Sequence, residues 1–191
     1  LAYSADKFER QIHRRGIVEP FRTFLYYIGW SLEKAEKHTK QNKEKYSYDL
    51  KHHSLLGFGA CCKVFKGTLL ENNTSVAIKT LKYKRYEYCN DLLVEATYLQ
   101  RLPTNPYFPK FYDLTIGEEP FSMNLFMEYV GNTTLHEQIT NDAISLKDIL
   151  TIVHQLCQAL ELLDKHNLSH LDIKPTNLLW NKEDQTLRVF D

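Results

Sequence analysis

The stretch "HLDIKPTN", residues 170–177, places a carboxylate, an ammonium group and an amide within six positions of one another. Asp172 can accept the proton of an attacking hydroxyl group, and Lys174 can neutralise charge on a transferring phosphoryl group. Asn177 can bind magnesium through its amide oxygen. The alternative is a purely structural role, in which the segment is a polar loop that only caps the preceding helix. The stretch therefore predicts either a phosphoryl-transfer loop or a helix cap, and the rest of the chain decides between them.

The segment before this loop is predicted to be a long helix over residues 145–167. Ser145 and Asp148 form a capping-box-like start, with Asp in place of the usual Glu. Seven apolar residues recur at helical spacing and share one face of the helix: Leu146, Ile149, Leu150, Val153, Leu156, Leu160 and Leu163. After the loop, two short strands are predicted on either side of a turn at "NKEDQ", residues 181–185.

The segment "VAIK", residues 76–79, belongs to a predicted strand in the first half of the chain. Side chains alternate along a strand, so Ala77 and Lys79 share a face. A flat base could lie beside the small residue, and phosphates could lie beside the cation. A lysine in so apolar a strand is expected to have a partner. Glu95 falls on the inward stripe of a helix predicted over residues 91–102, and we expect it to pair with Lys79.

The stretch "LLGFGACCKVFKG", residues 55–67, places Gly57 and Gly59 in a predicted turn between two strands. Glycines allow backbone N–H groups to approach phosphate oxygens closely, because no Cβ obstructs them. Two glycines in a hairpin are usually only a hairpin. A dinucleotide site would need a helix next, whereas a strand follows here, so the Rossmann interpretation is excluded.

The elements follow in the order strands, one helix, strands, a long helix, the charged loop and two short strands, which predicts an α+β fold. A small sheet lobe would be joined to a mainly helical lobe. Residues 1–50 differ from the rest. Their apolar residues Phe21, Phe24, Leu25, Ile28 and Leu32 fall on one helical stripe. This stripe is either a packing extension or a docking helix for a partner.

The composition excludes several broad classes. With 24 basic and 24 acidic residues the formal charge is zero, so nucleic acid and anionic membrane are not expected partners. Four cysteines without CxxC spacing fit a reducing compartment, and a cytoplasmic location is expected. The apolar run "FLYYIGW", residues 24–30, is far shorter than the ~20 residues of a membrane-spanning helix.

The chain resembles the protein kinase family in the order of four features: the glycine pair, the strand lysine, the helix glutamate and the loop at 170–177. The resemblance covers about residues 54–191. It implies a bilobal fold with a complete β-rich N-lobe and an incomplete helical C-lobe. The implied divisions are a partly helical extension over 1–50, the N-lobe over 51–127, and the hinge with the first part of the C-lobe over 128–191.

The resemblance also implies a role for each matching residue, with ATP and Mg²⁺ as cofactors. The catalytic residues would be Asp172, Lys174, Lys79 and Glu95, and the metal ligands Asn177 and Asp191. ATP would be bound by Leu56, Gly57, Phe58, Gly59, Val64, Ala77, Lys79, Met127, Glu128, Val130 and Leu179. Within that set, Met127 would be the gatekeeper and residues 128–130 the adenine-binding hinge.

Two longer stretches resemble the Mos family of kinases more narrowly. They are "MEYVGNTTLHEQI", residues 127–139, and "HLDIKPTNLL", residues 170–179. This resemblance implies a serine/threonine kinase that activates a MAP kinase kinase in oocyte meiotic maturation. Lys174, two residues after Asp172, is similar to the serine/threonine pattern rather than the tyrosine pattern.

The chain departs from the kinase pattern at three positions. Cys62 stands where the third glycine of the phosphate loop is expected. Leu171 replaces the usual arginine, which commonly pairs with a phosphorylated activation segment, so activity is expected not to depend on phosphate neutralised there. The chain stops at Asp191, the aspartate of the DFG motif. These 191 residues are therefore expected to hold most of a nucleotide site but to have no kinase activity on their own.

Two other functions remain open from the sequence. A pseudokinase or scaffold would bind nucleotide or partners without turnover, but it has no physical need of the intact set of Lys79, Glu95, Asp172, Asn177 and Asp191. A small-molecule phosphotransferase shares the spacing from Asp172 to Asn177. Lys174 and the "VAIK" strand favour a protein kinase over that enzyme class.

Overall fold

The computed structural model describes residues 44–59, 61–81, 86–116, 123–131, 133–141 and 143–190, with the backbone alone at 86–90 and at 116. The chain divides into two compact units. Of the described residues, the first contains those from 44 to 100 together with Phe111–Tyr129, and the second contains Arg101–Lys110 and those from 130 to 190. The helical stripe predicted at 21–32 and the predicted metal ligand Asp191 lie outside the described residues.

The first unit is built on an antiparallel sheet that has six strands within the described residues. They are β1 (Tyr46–Tyr48), β2 (Leu55–Phe58), β3 (Cys62–Leu69), β4 (Thr74–Leu81), β5 (Phe111–Ile116) and β6 (Met123–Glu128). The strand order is β1-β3-β4-β6-β5, and β2 also pairs with β3. The strands predicted around the glycine pair and at "VAIK" are confirmed. Helix α1 spans Tyr86–Arg101, so it begins five residues before the predicted helix.

One face of the sheet carries the core of this unit. Val76, Ile78 and Phe126 are fully buried and lie on that face of β4 and β6. The ring of Tyr46 on β1 stacks on the ring of Phe126, with centroids 4.3 Å apart. The alternate residues of β4, among them Lys79, therefore project from the opposite face.

An ion pair joins the two ends of the strand order. Lys45, directly before β1, places its Nζ atom 3.1 Å from Oδ2 of Asp113 on β5. The Asp113 side chain is 3% exposed, so its carboxylate is buried with this partner. Because β1 and β5 stand at opposite ends of the strand order, the pair shows that the sheet curls until its ends meet. The segment before residue 50 thus contributes a strand and a buried ion pair to the sheet.

The second unit contains α2 (Leu135–Thr140), α3 (Leu146–Lys165) and a hairpin of β7 (Leu178–Asn181) and β8 (Thr186–Val189). The capping box at the start of α3 is present: Asp148 N donates to the Ser145 hydroxyl, and Ser145 N donates to the Asp148 carboxylate. The long helix and the two short strands are confirmed. Among the described residues, no helix is both long and apolar enough to cross a membrane.

The apolar stripe predicted on α3 is largely exposed in the structure. Five of its seven members are more than a third exposed: Leu146, Ile149, Leu150, Val153 and Leu160. The buried residues of the helix are Asp148, Ile152, Ala159 and Leu163, of which Leu163 also belongs to the predicted stripe. Gln155 fixes the packing of α3 on β8, because its side chain accepts a hydrogen bond from Leu187 N at 2.8 Å. The predicted helix is confirmed, and of the predicted stripe Leu163 is buried and Leu156 is half-buried within these 191 residues.

Candidate active site

Lys79 on β4 forms an ion pair with Glu95 on α1. The Lys79 Nζ atom lies 2.8 Å from Oε2 of Glu95, and the two side chains are 9% and 22% exposed. Leu92 and Ala96 are buried beside Glu95 on the same helix, so this face of α1 packs inward. The pairing that the sequence predicts is present. Removing one partner of such a largely shielded pair is destabilising, because the attraction that offsets the desolvation of the other charge is lost.

The sheet face around Lys79 is apolar. Residues directly opposite each other in antiparallel strands share a face. Val64 lies opposite Lys79 on β3, and Met127 lies opposite Ala77 on β6. Ala77 and Met127 are each 7% exposed, whereas Val64 is half-buried. The structure thus brings the predicted residues Val64, Ala77, Lys79 and Met127 together on one face of the first unit.

The glycine-rich turn lies at the end of the same strands. The sequence predicts both glycines in the turn, whereas the structure places Gly57 in β2, after a bulge at Leu56, and only Gly59 in the turn. Gly59 N donates to Cys62 O at 2.9 Å and closes the turn. A Cβ at either glycine would meet nothing within 4 Å. The glycines therefore leave backbone uncovered, as a phosphate-binding loop requires, and the Phe58 side chain between them is 73% exposed.

The boundary between the two units falls directly after β6. Glu128 ends that strand, Tyr129 belongs to the first unit and Val130 to the second. Gly131 follows with φ of +119°, a conformation that side-chain-bearing residues rarely adopt. The segment predicted as an adenine-binding hinge is thus where the chain passes from one unit to the other.

The second unit holds the loop at 170–177 in a defined geometry. Oδ2 of Asp172 accepts hydrogen bonds from Lys174 Nζ at 2.7 Å and from Asn177 Nδ2 at 3.0 Å. Asn177 Nδ2 also donates to the backbone oxygen of Asp172 at 3.0 Å. The hydrogen bond from Lys174 is the main reason that the pKa of Asp172 is lowered. Asp172 is therefore ionised at neutral pH and able to accept a proton.

The loop is anchored by backbone contacts on its C-terminal side. Pro175–Asn177 form a 3-10 turn that leads directly into β7. Phe190 N donates to Asn177 O at 3.1 Å. Leu179 on β7 forms an isolated bridge with Thr134, which caps α2. Because Asn177 is 5% exposed, the amide that holds Asp172 is fixed inside the unit.

Comparison with known proteins adds the deciding observation. Residues 50–191 match the model of the protein kinase domain. The chain belongs to the protein kinase family. Its α+β architecture is that of a partial kinase fold, with the β-rich N-lobe in the first unit and the C-lobe in the second.

Several curated kinases are similar to this chain. Myosin light chain kinase 3 of Rattus norvegicus is 30% identical over 135 residues, which are 70% of this chain and 17% of that protein. The serine/threonine-protein kinase PrkC of Bacillus subtilis is 33% identical over 132 residues, 65% of this chain and 19% of that protein. A probable serine/threonine-protein kinase of Dictyostelium discoideum is 29% identical over 126 residues, 66% and 18% respectively. The chain spans less than a fifth of the length of each.

Two features of the kinase loop were not predicted. Sequence reasoning assigned Asn177 only to magnesium, whereas its amide nitrogen also holds Asp172. The five-residue spacing across Pro175 is the signal that could have indicated this contact. In addition, Leu171 adopts a left-handed backbone with φ of +62°, and its side chain is 94% exposed. A leucine in this conformation is strained by roughly 1–2 kcal/mol, so the residue before Asp172 is held there by the loop around it.

Proposed function

We propose that the protein containing this chain transfers the γ-phosphoryl group of ATP to serine or threonine hydroxyl groups of another protein. The observation that carries the proposal is the hydrogen-bonded set of Asp172, Lys174 and Asn177. It supplies a base, a cation and an amide ligand within one loop. The Lys79–Glu95 ion pair in the first unit is the second support. Two of the similar kinases are named as serine/threonine-protein kinases, which favours the same specificity.

Lys79 binds phosphate oxygens of the nucleotide in this proposal. Its ammonium group is held on the sheet face by Glu95 at 2.8 Å, so little side-chain entropy is lost when a phosphate binds. Ala77 and Val64, on the same face, provide a flat apolar surface for the base. The uncovered backbone at Gly57 and Gly59 provides N–H groups for the phosphates.

Asp172 orients the attacking hydroxyl and accepts its proton. Among the described residues, the hydrogen bonds to its carboxylate all go to Oδ2, so Oδ1 is the atom that faces the hydroxyl group. Lys174 lies against the same carboxylate and supplies positive charge where negative charge develops on the transferred phosphoryl group. The Lys174 hydrogen bond lowers the pKa of Asp172, so this carboxyl group is ionised at neutral pH, as an ordinary aspartate also is.

Magnesium fits the donor set of the loop. The Asn177 amide nitrogen donates to Asp172, and the amide oxygen is the atom of this side chain that could bind a cation. Magnesium prefers oxygen ligands of this kind and would neutralise charge on the bound phosphates. We propose Asn177 as one ligand and Asp191, outside the described residues, as the other.

A narrower proposal concerns the substrate. The stretches at 127–139 and 170–179 support a Mos-like kinase, whose substrate would be a MAP kinase kinase in the cytoplasm of a maturing oocyte. The exposed Leu171 supports regulation without a phosphorylated activation segment paired at this position. A substrate panel tests this: we expect phosphate on a MAP kinase kinase and not on a myosin light chain. The reverse preference would refute the Mos-like assignment.

The test of the general proposal is phosphate transfer by the full-length protein to a protein substrate, with phosphoamino acid analysis. We expect phosphoserine or phosphothreonine, and a loss of at least about 100-fold in Asp172→Asn, because general-base catalysis contributes roughly 10²–10⁴-fold. Asp184→Asn, an exposed carboxylate in the β7–β8 turn, is the matched control. Nucleotide binding without any transfer would favour a pseudokinase, and transfer only to small molecules would favour the other phosphotransferase class.

A further inference from the structure

Two cysteine side chains touch in the glycine-rich turn. The Sγ atoms of Cys61 and Cys62 are 3.5 Å apart. Successive side chains within a strand point to opposite faces, which would separate two neighbouring cysteines. Cys61, however, lies in the bend before β3, and Cys62 is the first residue of that strand. The bend brings the two sulfur atoms to the same side.

The two thiols differ in accessibility. Cys61 is half-buried, whereas Cys62 is only 3% exposed. Burial raises the pKa of the Cys62 thiol far above its usual range, so this sulfur stays protonated at neutral pH. Cys61 is thus the thiol that a small reagent reaches first, and Cys62 is a protonated thiol in contact with it.

The cysteine pair is part of the structure that shapes the turn. The backbone oxygen of Cys62 accepts the hydrogen bond from Gly59 N at 2.9 Å. Cys62 also pairs with Leu81 at the end of β4. The charges of Lys79 and Glu95 both influence the pKa of the Cys62 thiol, so the two cysteines lie near the Lys79–Glu95 ion pair.

We propose that Cys61 and Cys62 form a vicinal dithiol that a hydroperoxide oxidises to a reversible disulfide. The Cys61 thiolate attacks the O–O bond, its sulfur is oxidised to a sulfenic acid, and the other oxygen leaves as an alcohol or water after taking up a proton. The Cys62 sulfur then attacks the Cys61 sulfur, the S–O bond breaks, and water leaves with the Cys62 proton. Two thiols and one hydroperoxide give one disulfide, one water and one alcohol or second water.

The bridge would be strained and would change the turn. Neighbouring Cα atoms are ~3.8 Å apart, whereas the Cα atoms of ordinary disulfides are about 4.4–6.8 Å apart. A bridge between neighbours is therefore readily reduced, as regulatory disulfides are. The backbone that must adjust carries the hydrogen bond from Gly59. Oxidation should thus weaken nucleotide binding, and this consequence rests on the proposed function of the turn.

The experiment treats the 191-residue chain with hydrogen peroxide and examines its tryptic peptides by mass spectrometry. The peptide 52–63, "HHSLLGFGACCK", contains both cysteines, whereas Cys89 and Cys157 lie in other peptides. We expect this peptide to become lighter by two hydrogen atoms and to recover with dithiothreitol. Cys61→Ser and Cys62→Ser should each prevent that change, and Cys157→Ser, an exposed thiol on α3, should not.

A titration of the reduced and the oxidised chain with ATP and magnesium tests the effect of the disulfide separately from the proposed function. We expect the oxidised chain to bind ATP at least about tenfold more weakly, which corresponds to about 1.4 kcal/mol, and dithiothreitol to restore binding. Sulfinic or sulfonic acid on Cys61 without a bridge, or a bridge to another cysteine, would overturn the modification site. A bridge that leaves ATP affinity unchanged would overturn its regulatory effect. Failure of the reduced chain to bind ATP would overturn the proposed function while the mass change still decides the modification site.

Discussion

The side-chain amide nitrogen of Asn177 donates to two oxygens of Asp172, the backbone oxygen and Oδ2, and both N···O distances are 3.0 Å. The amide is buried, whereas the Asp172 side chain is 57% exposed. The buried Asn177 amide thus fixes the position of the exposed Asp172 carboxylate. This relationship explains how a carboxylate on a surface loop can keep one orientation for chemistry.

Replacing Asn177 with alanine should release Asp172. The change removes two hydrogen bonds from a buried site, so we expect the free energy of unfolding to fall by about 1–3 kcal/mol. Phosphate transfer by the full-length protein should fall by more than its ATP affinity. Chemical denaturation and steady-state kinetics measure the two effects. Asn181→Ala, at an exposed asparagine four residues later, is the control, and equal effects of the two substitutions would contradict the positioning role.

Replacing Lys174 with methionine should raise the pKa of Asp172 towards its ordinary value of about 3.9. The Lys174 hydrogen bond is the largest cause of the lowered pKa. A lowered pKa contributes stability that is present above the unfolded-state value and is lost as pH falls through the folded-state value. A carboxyl-carbon NMR titration measures the midpoint directly. Lys165→Met should instead raise the pKa of Glu161, its hydrogen-bond partner on α3, and leave Asp172 unchanged.

Asp148 gives a second pH dependence at the start of α3. Hydrogen bonds from Ser145 and Gln185 lower the pKa of Asp148 from 3.8 to about 2. The stabilising effect is therefore complete above pH 3.8 and is lost as pH falls through about 2. Asp148→Asn should lower the free energy of unfolding at neutral pH, and the difference from wild type should shrink across that window. A difference that stays constant down to pH 2 would show that the carboxylate charge is not responsible.

Tyr46 should be an essential part of the sheet although it precedes residues 50–191, which match the protein kinase domain model. Its ring is 3% exposed and stacks on Phe126. Truncation of a buried aromatic ring costs about 3–5 kcal/mol, so Tyr46→Ala should lower the free energy of unfolding by that amount. Tyr98→Ala, at a 42% exposed tyrosine on α1, should change it by only about 0.5 kcal/mol. Equal effects would mean that β1 is dispensable.

The first unit was largely predictable because local patterns determine it. Strand alternation along "VAIK" places Ala77 and Lys79 on one face, and helical spacing places Glu95 on the inward face of its helix. The strand and helix periodicities together predict the Lys79–Glu95 ion pair. Strand β1 was not predicted, because its three residues follow a polar run and are too few to show the alternation of a strand. The contact of Lys45 with Asp113 depends on the curl of the whole sheet, which no local pattern encodes.

The second unit shows the limit of periodicity. The spacing of apolar residues identified α3, and Ser145 and Asp148 identified its capping box, but five of the seven residues of the stripe are more than a third exposed in these 191 residues. Asp148 is buried because the capping box and Gln185 satisfy its carboxylate, which compensates for its burial. The loop residues Asp172, Lys174 and Asn177 were recognisable by their chemistry. The hydrogen bond that links Asn177 to Asp172 depends on the 3-10 turn between them and had no separate sequence signal.

The most direct test of the central claim is a titration of the 191-residue chain with ATP and magnesium, comparing wild type with Lys79→Met. We predict binding by the wild-type chain and at least about a tenfold loss of affinity in the variant, with circular dichroism confirming that the variant remains folded at the assay temperature. Lys63→Met, an exposed lysine on β3 that faces away from Val64, should bind like wild type. A folded Lys79→Met chain that binds ATP as tightly as wild type would contradict the account.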